Sequence, residues 1–65
     1  MAKKTLLRIK KHRMARGLTQ LGLAEKAGFS GAYVARIEQG LHDPPLSTIV
    51  RLAKVLKVKP SALLP

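Results

Sequence analysis

The sequence predicts an all-α domain of five short helices, and three observations carry that prediction. Leu46, Ile49, Leu52, Ala53 and Leu56 recur at spacings of three and four, as one buried helical face requires. Gly17, Gly28 and Gly40, with Pro44, Pro45 and Pro60, interrupt the chain at intervals that leave room only for small helices. Leu, Ala, Lys and Arg are frequent, whereas the β-branched runs that strands favour are missing.

The elements follow in order. Leu6 to Arg16 reads as a first helix in which Leu6, Leu7, Ile9, Arg13 and Met14 share one arc with Lys10. Arg13 is out of character there, because a buried charge requires a partner. Gly17 closes that helix. Thr19 is placed to cap a second, from Gln20 to Ala27, which buries Leu23, Ala24 and Ala27 and stops at Gly28. Ser30 caps a third, from Gly31 to Gln39, closed by Gly40. Two helices joined so tightly must cross steeply, and the small Ala24 permits the approach.

Leu41 to Pro45 reads as a loop, since neither proline carries a backbone donor and each pushes its predecessor toward extended backbone. The fourth helix then carries its single apolar stripe. Pro60 suits the first turn of a short fifth, with Leu63 and Leu64 offering apolar surface beyond it. One domain over residues 1–65, its core running from about 6 to 64, accounts for the chain. Because that fold uses nearly every residue, no small-molecule effector is expected.

Charge narrows the partner. Thirteen Lys and Arg face three acidic residues, a formal net charge of +10. Such a surplus repels itself, so a polyanion is the natural partner, and nucleic acid and an anionic membrane both qualify. Lys3, Lys4, Arg8, Lys10, Lys11, Arg13 and Arg16 all precede the first acidic residue, Glu25. Phe29 and Tyr33 alone are too few aromatics for platforms that stack single strands. No apolar run reaches the roughly 20 residues of a membrane span, and the basic start lacks the core of a signal peptide, so a cytoplasmic location is expected. With no cysteine, thiolate metal sites and cysteine nucleophiles are excluded. His12 and His42 have no spaced carboxylate near them and read as solvated, with no metal and no cofactor expected. Three carboxylates furnish no acid–base pair, so an enzyme is not expected.

The third helix carries the functional signal. Val34 and Ile37 point inward, with Leu41 just beyond on the same side. Ala32, Ala35, Arg36 and Gln39 form the opposite face, flanked by Gly31 and Tyr33. Such a face suits the DNA major groove: Arg can bond bidentately to guanine, Gln to adenine, and Ala can touch a thymine methyl.

The run Leu18-Thr19-Gln20, Leu23-Ala24, Gly28, Ser30, Tyr33-Val34, Ile37-Glu38-Gln39-Gly40 and Leu52-Ala53, Leu56, Val58 resembles the Cro/C1 (Xre-like) helix-turn-helix family. The resemblance spans about Leu6 to Leu64. It implies a lambda-repressor-like domain of five helices whose third helix reads DNA, in a small controller or repressor that acts as a dimer on a palindromic operator. By the same resemblance Gln20 contacts phosphate and braces the recognition helix, although a plain polar residue at a helix start is the other reading. Arg13 and Glu38 match a partly buried ion pair between the first and third helices, which answers the oddity of Arg13.

The base-reading candidates are then Ala32, Tyr33, Arg36 and Gln39, and the phosphate-contact candidates are Gln20, Arg16, Lys10 and Lys11. Tyr33 recurs in relatives that include restriction–modification controllers, and its other reading is a ring packed on the domain with its hydroxyl to water. Several positions depart from the family pattern. Gly31 and Ala32 stand where many relatives place long polar side chains, Gly22 replaces a helix former, and Lys57 stands where a helix-ending glycine is common. Asp43 lies in a loop that tends to be basic and to touch phosphate. The expected function is sequence-specific binding of duplex DNA as a transcriptional regulator, a repressor that acts as a dimer on a palindromic operator. The alternatives are a helical protein-interaction module of the same fold that does not read DNA, and a membrane-active basic peptide.

Overall fold

Among the described residues four α-helices and a closing 3-10 turn succeed one another: α1 (Ile9–Ala15), α2 (Gln20–Ala27), α3 (Gly31–Glu38), α4 (Leu46–Leu56) and the turn Pro60–Leu63. This computed structural model describes residues 7–64. Leu6, expected on the apolar arc of the first helix, lies outside the described residues, as do Lys3 and Lys4.

The expected fifth helix is therefore a single 3-10 turn. Its bonds run from the Ala62 amide to the Lys59 carbonyl at 2.8 Å and from the Leu64 amide to the Ser61 carbonyl at 3.2 Å. Pro60 has no amide to donate, and four residues cannot build an i→i+4 ladder before Leu64 turns extended. The turn also fixes where α1 begins, because the Arg8 amide donates to the Leu63 carbonyl at 2.8 Å.

All four α-helices stop in the same way. The amide just beyond the terminating residue donates to the carbonyl five positions back: Leu18 to Arg13, Phe29 to Ala24, Leu41 to Arg36 and Val58 to Ala53, at 2.8–3.1 Å. Such a stop needs a left-handed residue inside it. Gly17, Gly28 and Gly40 supply positive φ for the first three, and Lys57, at φ 58°, does so for α4 despite its Cβ.

Ile9, Leu23, Ala24, Val34, Leu52, Leu56 and Leu63 are wholly buried and form one core with Ala27, Ile37, Ile49 and Ala53. Helix α2 packs chiefly on α3, while α4 packs against α2 and the 3-10 turn and supports α1. Three apolar residues assigned to the interior lie outside it. Met14, near the end of the two-turn α1, is 60% exposed. Leu41 follows the left-handed Gly40, which swings it off the helical course to 67% exposure. Leu46 opens α4 and is 66% exposed. Leu63, expected to offer outward apolar surface, is instead wholly buried, and only Leu64 is exposed.

Candidate nucleic-acid interface

The α2–turn–α3 unit is held by two hydroxyl caps. Thr19 Oγ1 accepts from the Gly22 amide at 2.9 Å, and Ser30 Oγ accepts from the Tyr33 amide at 3.1 Å. Each satisfies an amide that a helix start leaves without a partner. The chain passes between the helices through Gly28 at φ 83°. The two helices then close up at Gly31, where a Cβ would lie 3.4 Å from Leu21 Cδ1 and 3.6 Å from Leu21 Cα.

This seating divides α3 into two faces. Val34 and Ile37 are buried, while Ala32, Arg36 and Gln39 are exposed and Ala35 is half-buried. Among the described residues neither Arg36 nor Gln39 makes a side-chain hydrogen bond, so both present free donors to the outside. Tyr33 sits at the boundary, half-buried. Its ring packs 5.1 Å from Phe29 and 5.0 Å from His42, and its hydroxyl lies 3.3 Å from Thr48 Oγ1 on α4. The tyrosine hydroxyl thus meets the threonine hydroxyl of α4. His42, expected to be solvated, is half-buried against that ring because the Leu41–Pro45 loop folds back over α3.

Behind the outer face lies an ionic knot. Arg13 Nε donates to Glu38 Oε2 at 2.7 Å and Arg13 Nη2 to Glu38 Oε1 at 3.1 Å, while Arg13 Nη1 reaches the Leu18 carbonyl at 2.7 Å. The side chains of the pair are only 10% and 3% exposed. Gln20 joins it, its Nε2 donating to Glu38 Oε1 at 3.1 Å. One carboxylate on α3 thereby fastens α1 and the first residue of α2. Among the described residues no buried side-chain nitrogen or oxygen lacks a partner.

The basic candidates all lie on α1 or at its C-cap. Lys10 and Lys11 are exposed on α1. Arg16 is exposed too, but its Nε donates to the Leu56 carbonyl at 3.0 Å, at the end of α4. Sequence reasoning missed Arg51, which reads as an ordinary polar residue on the outer side of α4. Its Nη2 donates to the Ala27 carbonyl at 2.7 Å and its guanidinium lies 4.4 Å from the centre of the Phe29 ring. Among the described residues no cluster of three or more His, Asp or Glu could hold a metal ion, and no helix is long and apolar enough to cross a membrane.

A helix-turn-helix family model matches residues 9–63, nearly all of the described chain. The chain belongs to the helix-turn-helix family. This helix-turn-helix chain is 46% identical over 56 residues to an immunity repressor protein of Bacillus phage phi105, a match covering 86% of the chain and 39% of the repressor. The chain thus spans about two fifths of that relative's length. Its fold is similar to the restriction-modification controller protein C.AhdI from Aeromonas hydrophila, with TM-score 0.85, 35% identity and coverage of 88% of this chain and 83% of that one. It is similar also to SinR, the master regulator for biofilm formation, solved in complex with DNA, with TM-score 0.82, 35% identity and coverage of 86% and 90%. The helix-turn-helix of this chain is α2, its turn and α3, an arrangement of the lambda-repressor type.

Proposed function

We propose that this chain is a transcriptional regulator, in the manner of a repressor, that binds duplex DNA sequence-specifically with α3 in the major groove. The observation that carries this reading is the outer face of α3. Arg36 and Gln39 stand exposed with free donors on a helix capped at Ser30, tied to two other helices through Glu38 and bordered by small Ala32. A guanidinium and an amide are the groups that discriminate guanine and adenine in that groove. Lys10 and Lys11, exposed and basic, suit phosphates, which hold a protein in register without reading sequence. Gln20 fills the bracing half of its expected role through Glu38, and its phosphate contact belongs to the same proposal.

The chain acts as a homodimer, since one short helix offers few base contacts. Two copies centred about 34 Å apart, one turn of DNA, sit side by side given principal extents of 31 × 23 × 21 Å. The apolar contact between copies falls to Leu64, because Leu63 is consumed by the core of its own domain. The site proposed is cytoplasmic and works without a small-molecule effector, responding to the concentration of the protein itself.

The test is a selection of bound sites from random duplexes, followed by titration of specific and scrambled duplexes across several salt concentrations. Arg36→Ala is expected to cost about 1–3 kcal/mol on the selected site and to relax preference at one position. Lys11→Ala is expected to weaken all duplexes alike and to reduce the salt slope by about one. Two protein chains should bind each palindromic duplex. Equal losses for Arg36→Ala on specific and scrambled DNA would remove Arg36 from the reading face.

A further inference from the structure

Leu21 is the anomaly of α2. It lies in the helix's first turn and is 56% exposed, while the buried side of α2 is made by Leu23, Ala24 and Ala27. A single exposed leucine is ordinary in itself. Its position is not. The Leu21 side chain lies over the first turn of α3, 3.4 Å from the point that a Cβ on Gly31 would occupy. Where α3 has no side chain of its own, α2 supplies one.

The surroundings of that leucine are apolar and small. Ala32, next along α3, is exposed, and Ala35, one helical turn beyond Gly31, is half-buried. Leu21, Gly31, Ala32 and Ala35 therefore border the outer face of α3 with side chains that carry no donor, acceptor or charge. That strip runs from the first residue of α3 to its fifth, and Arg36 and Gln39 follow it toward the other end. In a chain of net charge +10 it is a surface that phosphate does not favour.

We infer that Leu21, together with Ala32 and Ala35, recognises the 5-methyl groups of thymine, so that this strip selects T·A pairs by apolar contact. Thymine is the one base that presents a methyl group in the major groove. The absence of a side chain at Gly31 lets Leu21 lie close against the first turn of α3, where it excludes water from the methyl. Hydrogen-bonded reading by Arg36 and Gln39 is then confined to the rest of each half-site. This inference rests on the proposed DNA binding and deepens it.

The test uses the full chain and the duplex recovered by selection, with each thymine in turn replaced by deoxyuridine, which removes only the methyl. Loss of one buried methyl should weaken binding roughly threefold to fivefold at one or two positions in each half-site. Leu21→Ala should bind the parent duplex more weakly and lose the distinction between thymine and deoxyuridine at those positions. Arg36→Ala should keep it. The exposure of Leu21 lets Leu21→Ala retain the parent melting temperature, which separates a lost contact from a lost fold. Deoxyuridine tolerated at every position, or a contrast undiminished in Leu21→Ala, overturns the inference while leaving DNA reading intact. Failure of any duplex to be selected overturns the proposed DNA reading, and this inference with it.

Discussion

Arg13 on α1 and Arg51 on α4 each donate a 2.7 Å hydrogen bond to a backbone carbonyl beside a helix-ending turn, that of Leu18 and that of Ala27. Their surroundings differ. The Arg13 side chain is 10% exposed and is neutralised by Glu38, whereas Arg51 is exposed and rests on the face of Phe29. A buried guanidinium cannot dispense with its counter-charge, because removal of the partner strands a desolvated cation. An exposed one keeps its water, so a carbonyl and an aromatic face suffice. The first arrangement therefore ties three helices together at high stakes, and the second trims one turn at low stakes.

The largest effect should come from Glu38→Ala, which strands Arg13 and releases Gln20 as well. We expect it to destabilise the domain by about 3 kcal/mol, against no more than about 0.5 kcal/mol for Glu25→Ala at an exposed position. In a domain of this size each kcal/mol moves the melting temperature by about 4–8 °C, so thermal unfolding followed by circular dichroism separates the two variants. Equal melting temperatures would break the comparison. Arg51→Ala should cost about 1 kcal/mol, from one hydrogen bond and one exposed cation–π contact. Arg51→Lys should recover only part of that loss in urea titration, since an ammonium lacks the planar fork that serves carbonyl and ring together.

The end of α4 sharpens the comparison with a third arginine. Arg16, exposed, reaches the Leu56 carbonyl and, among the described residues, has neither an ion pair nor an aromatic face. The adjoining Lys57 holds φ 58°, a conformation that glycine adopts without strain. Lys57→Gly should therefore raise stability by about 1 kcal/mol, read as a higher urea midpoint at unchanged m-value. Arg16→Ala should be the mildest of the series, about 0.5 kcal/mol, because its single charged bond stands in water. A loss as large as that of Glu38→Ala would show that burial does not rank these arginines.

Much of this was legible in the chain itself. Thr19, Gly28 and Ser30 announce a cap, a stop and a second cap within twelve residues, and each acts as its chemistry requires, since caps and glycine stops depend on neighbours only a few positions away. The apolar spacing of α4 located Ile49, Leu52, Ala53 and Leu56 in the core for the same local reason. Arg13 was conspicuous as a charge on an apolar arc, although its pairing with Glu38 came from resemblance to a family rather than from spacing. The candidate site was legible in part: Arg36 and Gln39 were placed on the outer face by helical angle alone.

Periodicity also misled, and always at element ends. Met14, Leu41 and Leu46 continue apolar patterns but occupy the last turn of α1, the exit from α3 and the first residue of α4, where no neighbouring helix reaches them. Leu63 is the converse, an apolar residue near the end of the described chain that the 3-10 turn folds into the core.

The sequence by itself determined the four α-helices, the glycine stops of the first three and the division of α3 into an inner and an outer face, because these follow from hydrogen bonds and side-chain angles within about five residues. Only the tertiary structure decided which exposed-looking groups are occupied. Arg51 caps α2 from 24 residues away, Tyr33 is stacked between Phe29 and His42 with its hydroxyl at Thr48, and Leu21 covers a glycine on another helix. These contacts depend on how α2, α3 and α4 cross, and crossing is set by the packing of the whole core, to which no single stretch of sequence holds the key.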